Sequence, residues 1–422
     1  MIEHIDLLII GAGPAGMAAA LAAAASGVRI IVLDDNPLPG GQIWRDGPHA
    51  HLPLTARRYR EALSNAPNIT VYSGTRVVAR VAPKSLLLED AERGWQLAYD
   101  KLILCTGARE LLLPFPGWTL PGVTGAGGLQ ALIKGGLTVQ GQSVVIAGSG
   151  PLLLASAASA KKAGAKVMHI AEQAPLSAVM GFAAQLPKWP GKLLQAVQLI
   201  NVRYRCSGHV VEALGEDRLQ AVRVHQGNKT VEIACERLAC GFGLIPNIQL
   251  GQALGCLIVD QAISVDAWQT SSLADHFAAG ECTGFGGSEL ALVEGAIAGH
   301  AAVGDHAEAK ALWPQRQHWQ AFADLLNRTF ALNPQLKTLS APDTLVCRCE
   351  DVPYATLHAS SDWTDAKLHS RCGMGACQGR VCGAAAEYLF DWTPPAPRPP
   401  FSPARIGTLA RMADEQIAEQ PL

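Results

Sequence analysis

The chain has 422 residues and a formal charge of −2, from 34 basic and 36 acidic side chains. That is too long for one hydrophobic core, so two or three domains are expected. No basic stripe and no long run of like charges are present, which argues against nucleic acid as a partner. No apolar stretch is long enough to span a membrane, and the N-terminus enters a strand without a leader pattern. The cytoplasm is therefore the expected compartment, with membrane association arising only through a complex.

The first element is IDLLIIGAGPAGMAAALAAAASGVRIIVLDD, which reads as strand, glycine turn, small-residue helix and second strand. Gly11, Gly13 and Gly16 form G-x-G-x-x-G. The first allows the turn, the second lets backbone approach a pyrophosphate, and the third brings helix and sheet together. The helix N-terminus adds free N–H groups and a positive dipole end. Asp34 closes the second strand, where an acid accepts hydrogen bonds from a ribose. Together these predict a dinucleotide site. GGQIW (40–44), with Gly41 and Gln42, follows, and then KLILCTGARE (101–110), a strand and turn carrying Thr106 and Gly107.

The same unit recurs as QSVVIAGSGPLLLASAASAKKAGAKVMHIAEQ. Gly148 and Gly150 fill the first two glycine positions, but Leu153 stands at the third. A leucine there is expected to push the helix off the sheet and loosen pyrophosphate binding. Glu172 ends the second strand as the ribose acid. No arginine follows it closely, which favours NAD over NADP. Two readings stay open: a working NAD site, or a domain that has kept only the fold.

Further on come CGFGLIPN (240–247) and HFAAGECTG (276–284), the latter with Gly280 and Glu281, then a helix of small residues over 286–304. His169, His209, His225 and His300 are isolated and read as structural, so no catalytic base is assigned. Near the C-terminus lie C-R-C and C-Q-G-R-V-C: Cys347, Cys349, Cys377 and Cys382. Two close thiolate pairs suit an iron–sulfur cluster. Structural zinc more often takes C-x2-C pairs, and disulfides need an oxidising compartment. Cys372 is a fifth, ambiguous cysteine, either a ligand or a buried spare. Gly373, Gly375, Gly379 and Gly383 allow N–H groups to turn toward sulfur. The remaining six cysteines read as small apolar filler. TPPAPRPPFSPA (393–404) reads as extended linker rather than core, and 405–422 as weakly helical.

In order, GAGPAG, GGQIW, CTGAR, GLIPN and AAGECTG resemble the two-dinucleotide-domain flavoprotein disulfide reductase superfamily. The resemblance implies an α/β fold with two Rossmann-like domains: a split FAD domain (1–112 and 247–335) and an inserted NAD-type domain (113–246). The redox disulfide of that superfamily is missing. On that reading the helix over 286–304 points its N-terminus at a flavin, and Arg109 and Glu110 either touch the flavin region or form an ordinary surface pair, the latter being expected. The string RCGMGACQGRVC resembles iron–sulfur domains of the bacterioferritin-associated ferredoxin type, here 342–392, followed by a proline-rich tail (393–422). The whole layout is similar to the α subunits of heteromeric amino- and imino-acid dehydrogenases, among them D-hydroxyproline dehydrogenase, opine oxidase and hydrogen cyanide synthase. What this implies is an electron relay through FAD and one 2Fe–2S cluster. Substrate would be oxidised in a β flavoprotein resembling sarcosine or glycine oxidase. In relatives FMN lies at the subunit interface, and a small γ subunit carries a second 2Fe–2S centre. Two alternatives remain: a self-sufficient NADH-dependent reductase, and a scaffold that only holds a nucleotide.

Overall fold

The computed structural model describes residues 3–412. Its N-terminal strand β1 (Glu3–Ile10) leads into helix α1 (Pro14–Ala24) and returns as β2 (Ile30–Asp34). β2 and the second half of β1, from Leu7, are buried throughout, as expected of parallel strands covered on both faces. Strands β3 (Ile69–Ser73), β4 (Arg76–Ala82), β5 (Ser85–Glu89) and β6 (Gly94–Leu104) complete the path β3-β2-β1-β6-β5-β4. A late strand, His276–Ala278, adds in parallel to β6, with Phe277 opposite Ile103. The first sheet is thus closed by residues from far along the chain.

Why alanine and glycine are so abundant is visible in how the late helix Ser288–Ala302 packs. It lies backbone to backbone on α1: a Cβ on Gly295 would overlap the Ala15 carbonyl oxygen, and one on Gly299 that of Ala19. Even a methyl group there forces the helices apart, at roughly 1–3 kcal/mol for overpacking.

The second sheet holds five strands in the order Tyr204–Arg205, Lys166–Glu172, Ser143–Gly148, Arg237–Gly241, Val123–Gly125. An antiparallel sheet of Gly208–Leu214, Ala221–Gln226 and Lys229–Ala234 packs beside it. Leu153 does not hold the Leu152–Lys162 helix off this sheet. It is fully buried, and its side chain reaches to 3.0 Å from where a Cβ on Gly241 would stand. The space a third glycine would have left in the helix is left by a glycine in the neighbouring strand instead.

The C-terminal unit has a short hairpin (Leu345–Cys347 and Val352–Pro353) and the helices Tyr354–His358, Trp363–Ser370 and Cys382–Phe390. It rests on the second unit: Leu336 and Ala384 share a core with Leu113 and Phe115, and Trp118 Nε1 donates to the Leu345 carbonyl at 2.6 Å. The proline-rich segment is not free linker. Within it, Phe401 N donates to Val78 O at 2.7 Å, and beyond it Arg405 bonds Glu89 and Leu409 packs on Val78 and Leu87. Residues 401–409 thereby cover the outer β4–β5 hairpin, an otherwise open sheet edge. The weak helical character forms as Ile406–Ala410, and residues 413–422 lie outside the described part. No helix among the described residues is long and apolar enough to cross a membrane.

Candidate functional site

Local geometry explains each glycine of the first turn. A Cβ on Gly11 would collide with the Cys105 carbonyl, and one on Gly16 with the carbonyl of Gly11. Gly13 differs: its φ of −74° is ordinary, and the nearest atom to an added Cβ is the Cα of Gly41, at 3.9 Å. Gly13 therefore relieves no strain; a side chain there would fill the narrow space toward Gly41. Asp34 is 5 % exposed and ties the turn: Ala12 N donates to Oδ2 at 2.6 Å, and Asn36 donates to Oδ1 through both N–H and Nδ2. Gln42 is exposed and accepts from Arg45 Nη2 at 2.7 Å. Thr106 Oγ1 donates to Asn247 O at 2.6 Å, and Gly107, at φ +67°, has nothing within 4 Å of an added Cβ. Glycine-lined space beside helix N–H groups fits the pyrophosphate of a dinucleotide.

Two acids border this cradle. Burial pushes the Glu281 carboxyl above its ordinary range, against the Gly287 N–H that it accepts. Glu294, only 4 % exposed, accepts from Gly280 N at 3.1 Å and stands 3.8 Å from Arg316 Nε. Burial pushes it up to about 7 despite Arg316. Sequence reading missed Glu294; its signal is an acid in the middle of a helix of small, apolar residues, beyond the first-turn Glu289.

The second turn repeats the backbone but not the opening. A Cβ on Gly148 would collide with Gly241 O, just as Gly11 meets Cys105. Glu172 is fully buried and already engaged by Gly150 N at 2.7 Å, Ala174 N at 2.9 Å and Tyr204 OH at 3.1 Å. Above it lies the chain itself. An added Cβ on Gly150 would touch the Phe330 ring at 3.6 Å, and Ser149 Oγ donates to Phe330 O at 2.8 Å. Gln173, next to Glu172, donates to Ser149 Oγ and Ala331 O and accepts from Asn333 N, each at 2.9 Å. An aromatic cluster of Phe182, Trp189, Phe322 and Phe330 anchors that segment. Nothing in the sequence of residues 330–333 signals this; it is a contact between distant segments.

Three of the five C-terminal cysteines converge: the thiols of Cys347, Cys372 and Cys382 lie within 4.8 Å of one another. Cys349 and Cys377 lie beside each other, near enough to perturb one another's thiols. Cys372, ambiguous in sequence, is thus inside the group and fully buried. Burial alone would raise the Cys377 thiol. N–H groups of Val381, Gly379 and Arg380, with the Cys349 thiol, outweigh it and hold Cys377 below its ordinary value. A Cβ on Gly375 would overlap that of Cys349. Gly373 and Gly379 serve a second purpose, fitting the loop against the Trp363 ring, which added Cβ atoms would meet at 2.6 and 3.3 Å. Clustered thiols under inward-facing N–H groups fit an iron–sulfur group.

Arg109 and Glu110 are not a surface pair. Adjacent strand residues face opposite ways. Glu110 accepts from Gly127 N at 2.6 Å and Gly128 N at 2.8 Å, at the start of the Ala126–Lys134 helix, while Arg109 turns toward Asn247. Of the histidines, His209 and His225 pair across strands with ring centroids 5.3 Å apart, and His300 lies 3.3 Å from Asp305.

Comparison with known proteins agrees with this layout. Residues 5–300 match the family model described as pyridine nucleotide-disulphide oxidoreductase. The chain is 33 % identical to the HcnB subunit of hydrogen cyanide synthase from Pseudomonas protegens, over 92 % of either chain. It is 30 % identical to an opine oxidase subunit from Rhizobium meliloti, over 97 % of this chain and 99 % of that one. Among solved structures, L-proline dehydrogenase from P. horikoshii superposes with a TM-score of 0.67 at 17 % identity, covering 97 % of this chain and 81 % of that one, a likeness of fold. The glycine turns, the two stacked α/β units and these matches place the chain in the pyridine nucleotide-disulphide oxidoreductase family, as a flavoprotein oxidoreductase.

Proposed function

We propose that this chain is the electron-relay subunit of a heteromeric flavin-dependent dehydrogenase or oxidase acting on a D-amino or imino acid, such as D-hydroxyproline or an opine. Substrate oxidation resides in a partner flavoprotein. The observation that carries this reading is the closed second turn: Ser149 and Gln173 are engaged with the chain's own Phe330–Asn333. A dinucleotide would have to displace that segment, so electrons have no nicotinamide entry and must come from a partner. The names of the relatives, subunits of opine oxidase and of hydrogen cyanide synthase, support the heteromeric assignment.

On this reading Gly11, Gly13, Gly16, Asp34, Gly41, Thr106, Gly107, Gly280 and Glu281 hold FAD. Cys347, Cys349, Cys377 and Cys382 ligate a 2Fe–2S cluster, with Cys372 as a buried neighbour. When bound, the flavin takes two electrons and the cluster takes them singly. Asp34 holds the turn that receives the pyrophosphate, and the N–H groups around Cys377 stabilise thiolate charge. Trp363 and its glycines keep that loop compact. The test is an anaerobic titration of the purified chain with NADH and then dithionite, following the flavin and cluster bands. Bleaching by dithionite but not NADH is expected. Bleaching by NADH would establish a self-sufficient reductase and overturn the partner-fed reading.

A further inference from the structure

The flavin-side turn and the cysteine loop belong to units far apart in sequence, and one side chain spans the gap between them. Arg109 lies in the strand Ala108–Glu110, paired antiparallel with Leu244–Pro246. Its Nη1 donates to Asn247 Oδ1 at 3.0 Å and to Pro246 O at 3.4 Å. Its Nε donates to Arg380 O at 3.2 Å, inside C-Q-G-R-V-C. Each end is rigid. Asn247 is locked to the turn by Nδ2 to Thr106 O at 2.9 Å, by its N–H to Gly107 O at 2.9 Å, and by Thr106 Oγ1 to its own carbonyl. Arg380 N in turn donates to Cys377 O at 3.1 Å.

We propose that Arg109 is a positioning residue that holds the cysteine loop at a set distance and orientation from the Thr106–Gly107 turn, so that electrons cross between the two centres. The inference rests on the reading of this chain as a carrier of both a flavin and a cluster. The planar guanidinium suits the task because one rigid fork addresses the carbonyl of one unit and the amide oxygen of the other. Lysine, a single point donor, cannot hold both in the same geometry. Electron transfer falls steeply with separation, so a loop released at this point slows the crossing without removing either centre.

The experiment compares wild type with Arg109→Ala and Arg109→Lys in two forms. In the chain stripped of cofactors, hydrogen exchange is followed at the amides of Gln378–Cys382. In the loaded chain, flavin and iron are quantified and the rate of cluster reduction after flash reduction of the flavin is measured. Expected for Arg109→Ala are at least tenfold faster exchange in that loop, unchanged flavin and iron content, and at least tenfold slower cluster reduction, with Arg109→Lys between. Unchanged exchange, or an unchanged rate at full loading, overturns the proposal. If wild type itself takes up no iron, the underlying functional reading fails, while the exchange data still decide whether Arg109 holds the loop.

Discussion

The two glycine turns share a strand, a turn, a helix and an acid, yet Gly13 faces the backbone of another glycine where Gly150 faces the ring of Phe330. Their acids do not differ in this way: Asp34 and Glu172 are both buried, and each accepts from N–H groups at its own turn. The difference lies in Ser149 and Gln173, which the chain itself engages through Phe330, Ala331 and Asn333. A duplicated fold does not duplicate a site. What distinguishes a binding turn from a structural one is whether its donors still face space.

Three perturbations would break or sharpen this contrast. The largest effect is expected from Gly13→Val. The backbone at Gly13 tolerates a side chain, so the fold should survive while pyrophosphate approach is blocked. Flavin content should drop at least tenfold at an unchanged circular dichroism spectrum; stoichiometric flavin in this variant would remove Gly13 from the site.

Next is Glu294, beside the open cradle. Its native pKa of about 7 lies above the ordinary 4.5, so the native state binds the extra proton between those values. Stability is therefore full below 4.5 and declines as pH rises through about 7, by on the order of 3 kcal/mol at most. Glu294→Gln should flatten that decline in urea melts at pH 5 and pH 8. An equally steep decline in the variant would mean that Glu294 is not its source.

The smallest effect is expected at the closed turn. Phe330→Ala should lower unfolding stability by about 2 kcal/mol, less than a fully buried phenylalanine because Phe330 is only half-buried. Flavin content should be unchanged. Loss of flavin here would mean that the two turns are coupled and the contrast is false.

Much of the fold was legible because it rests on local requirements. Gly11 and Gly148 each mark a strand end pressed against a neighbouring carbonyl, and the glycines near Cys377 mark a loop wound tightly on itself. The C-x-C and C-x4-C pairs likewise announced a thiol cluster. Other features depended on partners that no local pattern names. Leu153 read as a defect until Gly241, on another strand, proved to make room for it. Arg109 and Glu110 read as one ion pair because adjacency in sequence says nothing of opposite strand faces. The proline-rich segment read as linker because proline composition does not reveal that Phe401 within it and Leu409 beyond it would dock on the first sheet.

The sequence by itself determined the two α/β units, the acids that end their second strands and the cysteines that gather at the C-terminus. Backbone conformation and side-chain periodicity are short-range properties, and they are written in adjacent residues. Only the tertiary structure decided which turn stays open, that Cys372 joins the thiol group, and that Arg109 spans two units. Each of these depends on segments distant in the chain competing for the same donors and the same space, and that competition is resolved only when the chain packs.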